Sequence, residues 1–423
     1  MNLSDINRWW IEKRVPTELI GKKREALNEV LPLFEKRQIL LIEGIRRVGK
    51  TTLMYQLIDH LIKKGISPYN ILYFTFDIAT MSPEDILKQY ANALKKNLRK
   101  DKIYVFFDEI QKYDNWWDKI KILYDIYPNI KFCLSGSVST LLKKKSRESL
   151  AGRVFTYLLN PLSFPEFLHF RNVEIDYNRV ELFEDLLNAE IAQYLKTSGF
   201  IEVVLEQDES IIRKYFLETV FERIVYKDIP TVFGIEEPEL LREIFKIISE
   251  NPGAIIRFNS LASDLKRDRR TIERYISYLK NAFLVFQLSN YSSNMLTARK
   301  KNKKFYPSYT SFSYATTQSM IIDEALLGKM VEGAVASKLK AKFFYRSSRG
   351  NEVDIVYTKQ REIIPIEVKF RNSIEKRTVK ILKQFMKEFN CNRGIIISKH
   401  KKDTVETEVG TIYITPFAEF LLT

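Results

Sequence analysis

Gly44-Ile45-Arg46-Arg47-Val48-Gly49-Lys50-Thr51 fits the pattern G-x-x-x-x-G-K-[ST], and its flanks decide the fold. The preceding Gln38-Ile39-Leu40-Leu41-Ile42-Glu43 is a short apolar run that reads as a buried parallel strand. Beyond the pattern, Thr52 to Lys64 carries Leu53, Leu57, Ile58 and Leu61 at helical spacing, and Gly65 stops the helix. Between a strand and a helix, the loop's backbone N–H groups and the helix N-terminus form an anion nest. Gly44 to Thr52 is therefore the expected ATP-binding loop. Lys50 would reach the β- and γ-phosphates, and the Thr51 hydroxyl would hold Mg²⁺. A chance glycine-rich turn is the alternative, and the flanking strand and helix argue against it.

A second half of the same site follows downstream. Asn70 to Asp77 and Lys102 to Phe107 read as further strands, separated by an amphipathic helix from Ser82 to Lys96 with Ser82 as N-cap and Pro83 at its first position. The second of these strands runs into Asp108-Glu109, the Walker B arrangement, in which Asp108 holds Mg²⁺ and Glu109 polarises the attacking water. A fourth strand, Lys131 to Leu134, ends in Ser135-Gly136-Ser137. Ser135, with Ser137 second, suits hydrogen bonding to the γ-phosphate or the lytic water, although Ser137 equally suits the N-cap of a helix over Val138 to Leu142. Arg153, or else Arg147, is the expected finger toward a neighbouring subunit's nucleotide, against the plainer reading of a surface arginine.

The bulk numbers limit the function classes. At 423 residues the chain is too long for one core, and 45% apolar with 13% aromatic residues supplies ample interior. A formal net charge of +15 favours a polyanionic partner, nucleic acid before an anionic membrane, unless it is only a solvated lysine-rich surface. The two cysteines, Cys133 and Cys391, and the three histidines, His60, His169 and His400, form no disulfide framework or zinc spacing. No apolar run approaches a membrane span and the start lacks a signal-peptide layout, so a cytoplasmic protein without a membrane partner is expected.

Residues 1 to 30 carry Trp9-Trp10 beside Arg8, Lys13 and Arg14, and read as a helical lead-in packing its tryptophans on the next domain, with base stacking the alternative. Glu181 to Ile229 is helical apart from Ser198-Gly199-Phe200 and reads as a lid. Residues 237 to 312 suggest a winged helix-turn-helix. Its last helix, Arg269 to Asn281, buries Ile272, Tyr275, Ile276 and Leu279 and presents Arg270, Glu273, Arg274 and Ser277 on the other face. The hairpin tip Arg299-Lys300-Lys301-Asn302-Lys303-Lys304 suits a phosphate backbone, so DNA is the expected partner, with protein docking the alternative.

The last hundred residues hold a second constellation. Glu332 lies on a helix, Asp354 on a strand, and Glu367 and Lys369 on the next strand, two apart and so on one face. Two carboxylates converging across neighbouring strands can bind Mg²⁺, with Lys369 polarising a nucleophile and Glu332 as an added ligand.

With these motifs in order, the chain resembles a family of archaeal and bacterial AAA+-type ATPases that carry a C-terminal nuclease-like domain of the PD-(D/E)XK, or Holliday-junction-resolvase-like, class. The likeness rests on Gly44 to Thr52, Phe106 to Gln111, Leu134 to Ser137, Leu150 to Arg153 with Pro161 to Phe164, and Glu352 to Asp354 with Ile366 to Lys369. The family's Pro-Asp is here Val353-Asp354. The resemblance implies a multidomain α/β chain. Its parts are a lead-in over 1–30, a P-loop core with a parallel sheet over 31–167, a helical lid over 168–236, a winged helix over 237–315 and a restriction-endonuclease-like domain over 316–423. It further implies a homo-oligomeric ATPase acting on DNA in repair, recombination or mobile-element biology, with a Mg²⁺-dependent nuclease in prospect. The rival expectation is a signal-type NTPase switch controlling protein assembly, with the nuclease-like domain inactive.

Overall fold

Five short apolar runs build one parallel sheet. They are β1 (Ile39–Glu43), β2 (Ile71–Thr75), β3 (Ile103–Asp108), β4 (Ile130–Gly136) and β5 (Val154–Leu158), in the spatial order β2-β3-β4-β1-β5. The computed structural model describes residues 2–78, 81–137, 148–292, 303–317, 322–360 and 362–423. The chain divides into two units, Met1–Leu162 and Ser163–Thr423, a division just before the 167/168 boundary read from sequence.

In the first unit every strand pairing is parallel, and every residue of β1, β3 and β4 is buried. Strands covered on both faces need continuous apolar runs rather than alternation, which is what Ile39–Ile42 and Ile103–Phe107 supply. The helices Lys50–Lys63, Pro83–Leu94 and Trp116–Ile126 return the chain between parallel strands. Ser82 caps the second of these, accepting from the Asp85 N–H. Strand β5, which the sequence reading did not include, is an edge strand, and its half-exposed residues leave only a weak apolar signal.

The opposite edge, β2, is closed by the lead-in. Trp9 and Trp10 are buried, and both indole N–H groups donate to the Ile71 carbonyl, at 3.2 and 2.8 Å. The Asn7 amide stands in for a neighbouring strand. Its Nδ2 donates to the Tyr73 carbonyl at 3.0 Å, and its Oδ1 accepts from the Tyr73 N–H at 2.7 Å. An edge that would otherwise offer free backbone groups is thereby satisfied.

The second unit is organised on a nine-stranded sheet in the order β13-β14-β12-β11-β10-β9-β7-β8-β6. Its strands are β6 (Ala254–Ile256), β7 (Val285–Asn290), β8 (Lys303–Pro307), β9 (Phe343–Arg346), β10 (Glu352–Lys359), β11 (Glu362–Lys369), β12 (Arg393–Ser398), β13 (Asp403–Thr407) and β14 (Gly410–Pro416). Ahead of it lie helical segments. Glu184–Thr197 ends with Ser198 in the left-handed region, and π-helical turns occupy Tyr215–Phe221 and Ile224–Asp228. Helices Pro238–Glu250, Phe258–Asp264 and Arg269–Asn281 precede β7 and β8, and the last buries Ile272, Tyr275, Ile276 and Leu279. Arg270, Arg274 and Ser277 lie on its exposed face.

Downstream, the order is helix Glu324–Lys338, the antiparallel strands β9 to β11, helix Lys376–Phe389, then β12 and β14, with β12 parallel to both β11 and β14. Leu382, Phe385 and Met386 from the helix pack with Val353, Val356, Ile396 and Ile412 from the sheet. The expected boundary at 315/316 is not a boundary of the sheet. β7 pairs in parallel with β9, Ser289 against Phe343 and Asn290 against Phe344, so the two expected domains share one sheet. Among the described residues no helix is long and apolar enough to cross a membrane.

Replacing Trp9 with Ala removes a fully buried ring and should destabilise the first unit by about 3–5 kcal/mol, read by urea denaturation. A tryptophan reserved for base stacking would leave the midpoint unmoved.

Candidate functional site

At the carboxyl end of β1 the chain turns through Gly44 to Gly49 into the helix Lys50–Lys63. Gly44 is required by close approach, since a Cβ there would lie 2.4 Å from the Leu159 carbonyl oxygen. Gly49 takes φ 92°, which a glycine adopts without strain, while Arg47 takes φ 70° at a cost of about 1 kcal/mol. Ile45 and Val48 are buried and anchor the loop, Arg46 is half-buried and Arg47 exposed. The Lys50 side chain is buried, and its Nζ donates to the carbonyls of Gly44 and Ile45 at 3.0 and 3.1 Å. Thr51 and Thr52, half-buried, open the helix.

Asp108, at the end of β3, collects three hydroxyls. Thr51 Oγ1 donates to its Oδ2 at 2.7 Å, Tyr73 Oη donates to the same oxygen at 2.9 Å, and Ser135 Oγ donates to Oδ1. Burial and the neighbouring Asp108 charge push the Tyr73 phenol well above its ordinary value, so it stays a donor. Ser135 also accepts from the Glu109 N–H at 3.0 Å, which ties the two acidic residues to β4. Glu109 sits in the left-handed region, φ 53°, with Oε1 3.9 Å from Lys50 Nζ and Oε2 bonded by Gln111. Gln111 donates at 3.1 Å to Ser137 as well. The helix for which Ser137 was the alternative cap lies outside the described residues.

Two residues here escaped the sequence reading. Tyr73 lies on a strand whose only visible signal was apolarity. Arg24, buried in the lead-in, donates to the Val48 carbonyl in the loop and to the Asn160 carbonyl, each at 3.0 Å. Arg153 is placed at the other end of the sheet. Its carbonyl accepts from the N–H of Ile39, where β1 begins, and its guanidinium makes two bonds to Asp125 at 3.0 and 3.1 Å. It does not face the loop of its own chain. Arg147 lies outside the described residues.

The chemistry of this donor set fits a nucleotide with Mg²⁺. A glycine-lined loop offers backbone donors to phosphate, and a hydroxyl and a carboxylate already 2.7 Å apart supply the few oxygen ligands that Mg²⁺ takes from protein.

The second constellation also comes together, with additions. Lys369 Nζ lies 3.3 Å from Asp354 and 2.7 Å from Glu367. Glu332, on its helix, accepts from Lys304 at 3.0 Å, Tyr306 at 2.5 Å and Lys329 at 2.7 Å. Lys304 corrects an expectation. Placed by sequence at the basic hairpin tip, it is fully buried in β8, where Glu352 and Asp354 also lie 2.5 and 3.7 Å from its Nζ. Arg299 to Asn302 lie outside the described residues. Burial opposes the Lys304 charge, but Glu332, Asp354 and Glu352 outweigh it and hold its pKa above the ordinary value. Burial and the adjacent Asp354 push Glu367 well above the usual carboxylate range. A cavity of about 270 Å³ opens beside Glu352, Asp354, Glu367, Lys369 and Arg377. Mg²⁺ ligation by Asp354, Glu367 and Glu332 does not fit this arrangement, because both oxygens of Asp354 and Glu332 and one of Glu367 already face ammonium groups. Among the described residues no group of three or more acidic, His or Cys side chains is disposed to hold a metal.

Residues 36–168 match the family model described as an AAA domain. This segment is similar to AAA-type domains. Residues 188–316 and 327–420 match two domains of unknown function, DUF8612 and DUF4143. An uncharacterized protein of Methanocaldococcus jannaschii is similar at 27% identity over 97% of this chain and 89% of its own. An uncharacterized protein of Haemophilus influenzae is 25% identical over 93% of this chain and 97% of its own. A solved structure of AMPPCP-bound DnaA from Aquifex aeolicus covers 60% of this chain and 86% of its own, at 15% identity and a TM-score of 0.28.

Within this segment, Gly44→Ala should force the loop off Leu159 and lower stability by about 1–3 kcal/mol, read as an earlier midpoint in urea.

Proposed function

We propose that the protein is a Mg²⁺-dependent ATPase of the AAA type that acts on DNA as a homo-oligomer. The observation that carries the ATPase reading is the convergence of Lys50, Thr51, Asp108, Glu109 and Ser135 at the carboxyl ends of β1, β3 and β4. Bound with the nucleotide, Mg²⁺ supplies positive charge against the phosphate oxygens. Lys50 holds the phosphate tail, with the loop N–H groups beside it. Thr51 and Asp108 offer the protein's oxygen ligands. Glu109 orients the attacking water and accepts its proton, and Ser135 keeps Glu109 in register with Asp108. Arg153 would have to leave Asp125 to serve a neighbouring subunit's site.

DNA as the partner is supported by the net charge of +15 and by Arg270 and Arg274 on the exposed face of Arg269–Asn281. The three helices, with β6 between the first and the second and with β7 and β8 after the third, β6 and β7 each antiparallel to β8, are consistent with a winged helix. One observation favours part of the rival reading, a nucleotide switch with an inactive nuclease-like domain. It is the lysine inside the carboxylate cluster.

Lys50→Ala should reduce phosphate release from ATP to background, and turnover at the wild-type rate would refute the assignment. Glu109→Gln should keep nucleotide binding while losing about 10²–10⁴ in kcat, separating the base from the binding residues. For DNA, affinity should fall steeply as salt rises. Arg270→Ala with Arg274→Ala should lower the slope of log K against log salt by about 1–2; an unchanged slope removes this helix from the interface.

A further inference from the structure

Strand β8 lies inside the nine-stranded sheet, between β7 and β6, with Lys304 opposite Leu288 on one side and Ile255 on the other. An interior strand is an expensive place for an ammonium, and lysine is almost never fully buried unless paired. Here the pairing is complete. Lys304 Nζ lies within 4 Å of Glu332, Glu352 and Asp354, and 5.3 Å over the Phe344 ring. Tyr306, two residues along and so on the same face, bonds to Glu332, and the absence of a side chain at Gly333 leaves room for its ring.

Glu332, Glu352 and Asp354 are committed to such donors through both oxygens, and Glu367 through one. Glu332 Oε1 accepts from Lys304 and Tyr306, and Oε2 from Lys329. Glu352 faces Lys304 with Oε1 and Arg346 with Oε2. Asp354 Oδ1 faces Lys304, and Oδ2 accepts from the Val368 N–H and Lys369. Glu367 Oε2 accepts from Lys369. Mg²⁺ and Mn²⁺ need oxygen ligands in near-octahedral array at about 2.0–2.2 Å. Here a divalent ion would have to displace these donors while lying a few ångströms from two ammonium groups.

We propose that Lys304 takes the place of a divalent cation at this cluster, so that the chain's own lysine closes the C-terminal site to metal. The carboxylates of Glu332, Glu352 and Asp354 then act as positioning groups. They join β8 and the helix Glu324–Lys338 to β10 around one internal cation. The proposal is independent of the ATPase reading, because it concerns residues of the second unit alone.

The test is a calorimetric titration of Mn²⁺ alone into the nucleotide-free full chain, comparing wild type with Asp354→Asn, Lys304→Met and Lys304→Met with Asp354→Asn. Wild type and Asp354→Asn should give the same isotherm up to millimolar Mn²⁺, because the cluster takes none. Lys304→Met should gain one site at least tenfold tighter than any in wild type, and adding Asp354→Asn should abolish it. An Asp354-dependent site in wild type overturns the proposal, as does a folded Lys304→Met chain that gains no site. If circular dichroism shows that Lys304→Met does not fold, the comparison of wild type with Asp354→Asn decides alone. Equal isotherms support the lysine, and a site lost in Asp354→Asn refutes it.

Discussion

One buried carboxylate, Asp108, coordinates the first unit. Its two oxygens collect hydroxyls from Thr51 on the loop helix, Tyr73 on β2 and Ser135 on β4, so three separate elements are positioned by one side chain. The lead-in extends that control. Asn7 pins the backbone of Tyr73 from outside the sheet, and Tyr73 reaches Asp108 from within it. Arg24 meanwhile holds the loop through the Val48 carbonyl. The segment before the P-loop is therefore a brace for both the loop and the carboxylate end of β3, which explains why its tryptophans are buried.

The two charged sites differ in the kind of donor that feeds their carboxylates. At Asp108 the donors are hydroxyls, and a hydroxyl carries lone pairs beside its proton. Thr51 can rotate from donating to Asp108 to presenting an oxygen to a cation, leaving both groups as ligands. At Glu332, Glu352 and Asp354 the donor common to all three is the Lys304 ammonium, which has protons and no lone pair. It cannot turn into a ligand. Two clusters that look alike as lists of acidic residues thus have opposite aptitudes for metal.

The parallel core was legible because burial on both faces writes itself into the chain as unbroken apolar runs, and Ile39–Ile42 and Ile103–Phe107 lie where those runs predicted. Edge strands leave less trace. β5 is half-exposed and β13 alternates weakly, so neither stood out. At the site, Lys50, Thr51, Asp108, Glu109 and Ser135 were readable because fixed local spacing places them. Tyr73 and Arg24 act across the fold, and no local pattern marks them. Lys304 misled for a related reason. A run of charge at a hairpin tip reads as solvent-facing, but strand alternation turns the last lysine of that run into the sheet, where carboxylates about thirty to fifty residues later neutralise it.

The parallel pairing of β7 with β9 bears on how the chain can be divided. A fragment ending near residue 316 would keep β7 but lose the strand that satisfies its outer backbone, and would lose the partners of Lys304 with it. Such a piece carries an open, apolar sheet edge beside an orphaned ammonium, which favours self-association over a soluble module. Residues 163–423 form the compact unit in which every strand of this sheet keeps its neighbours, and so the sensible one to express by itself.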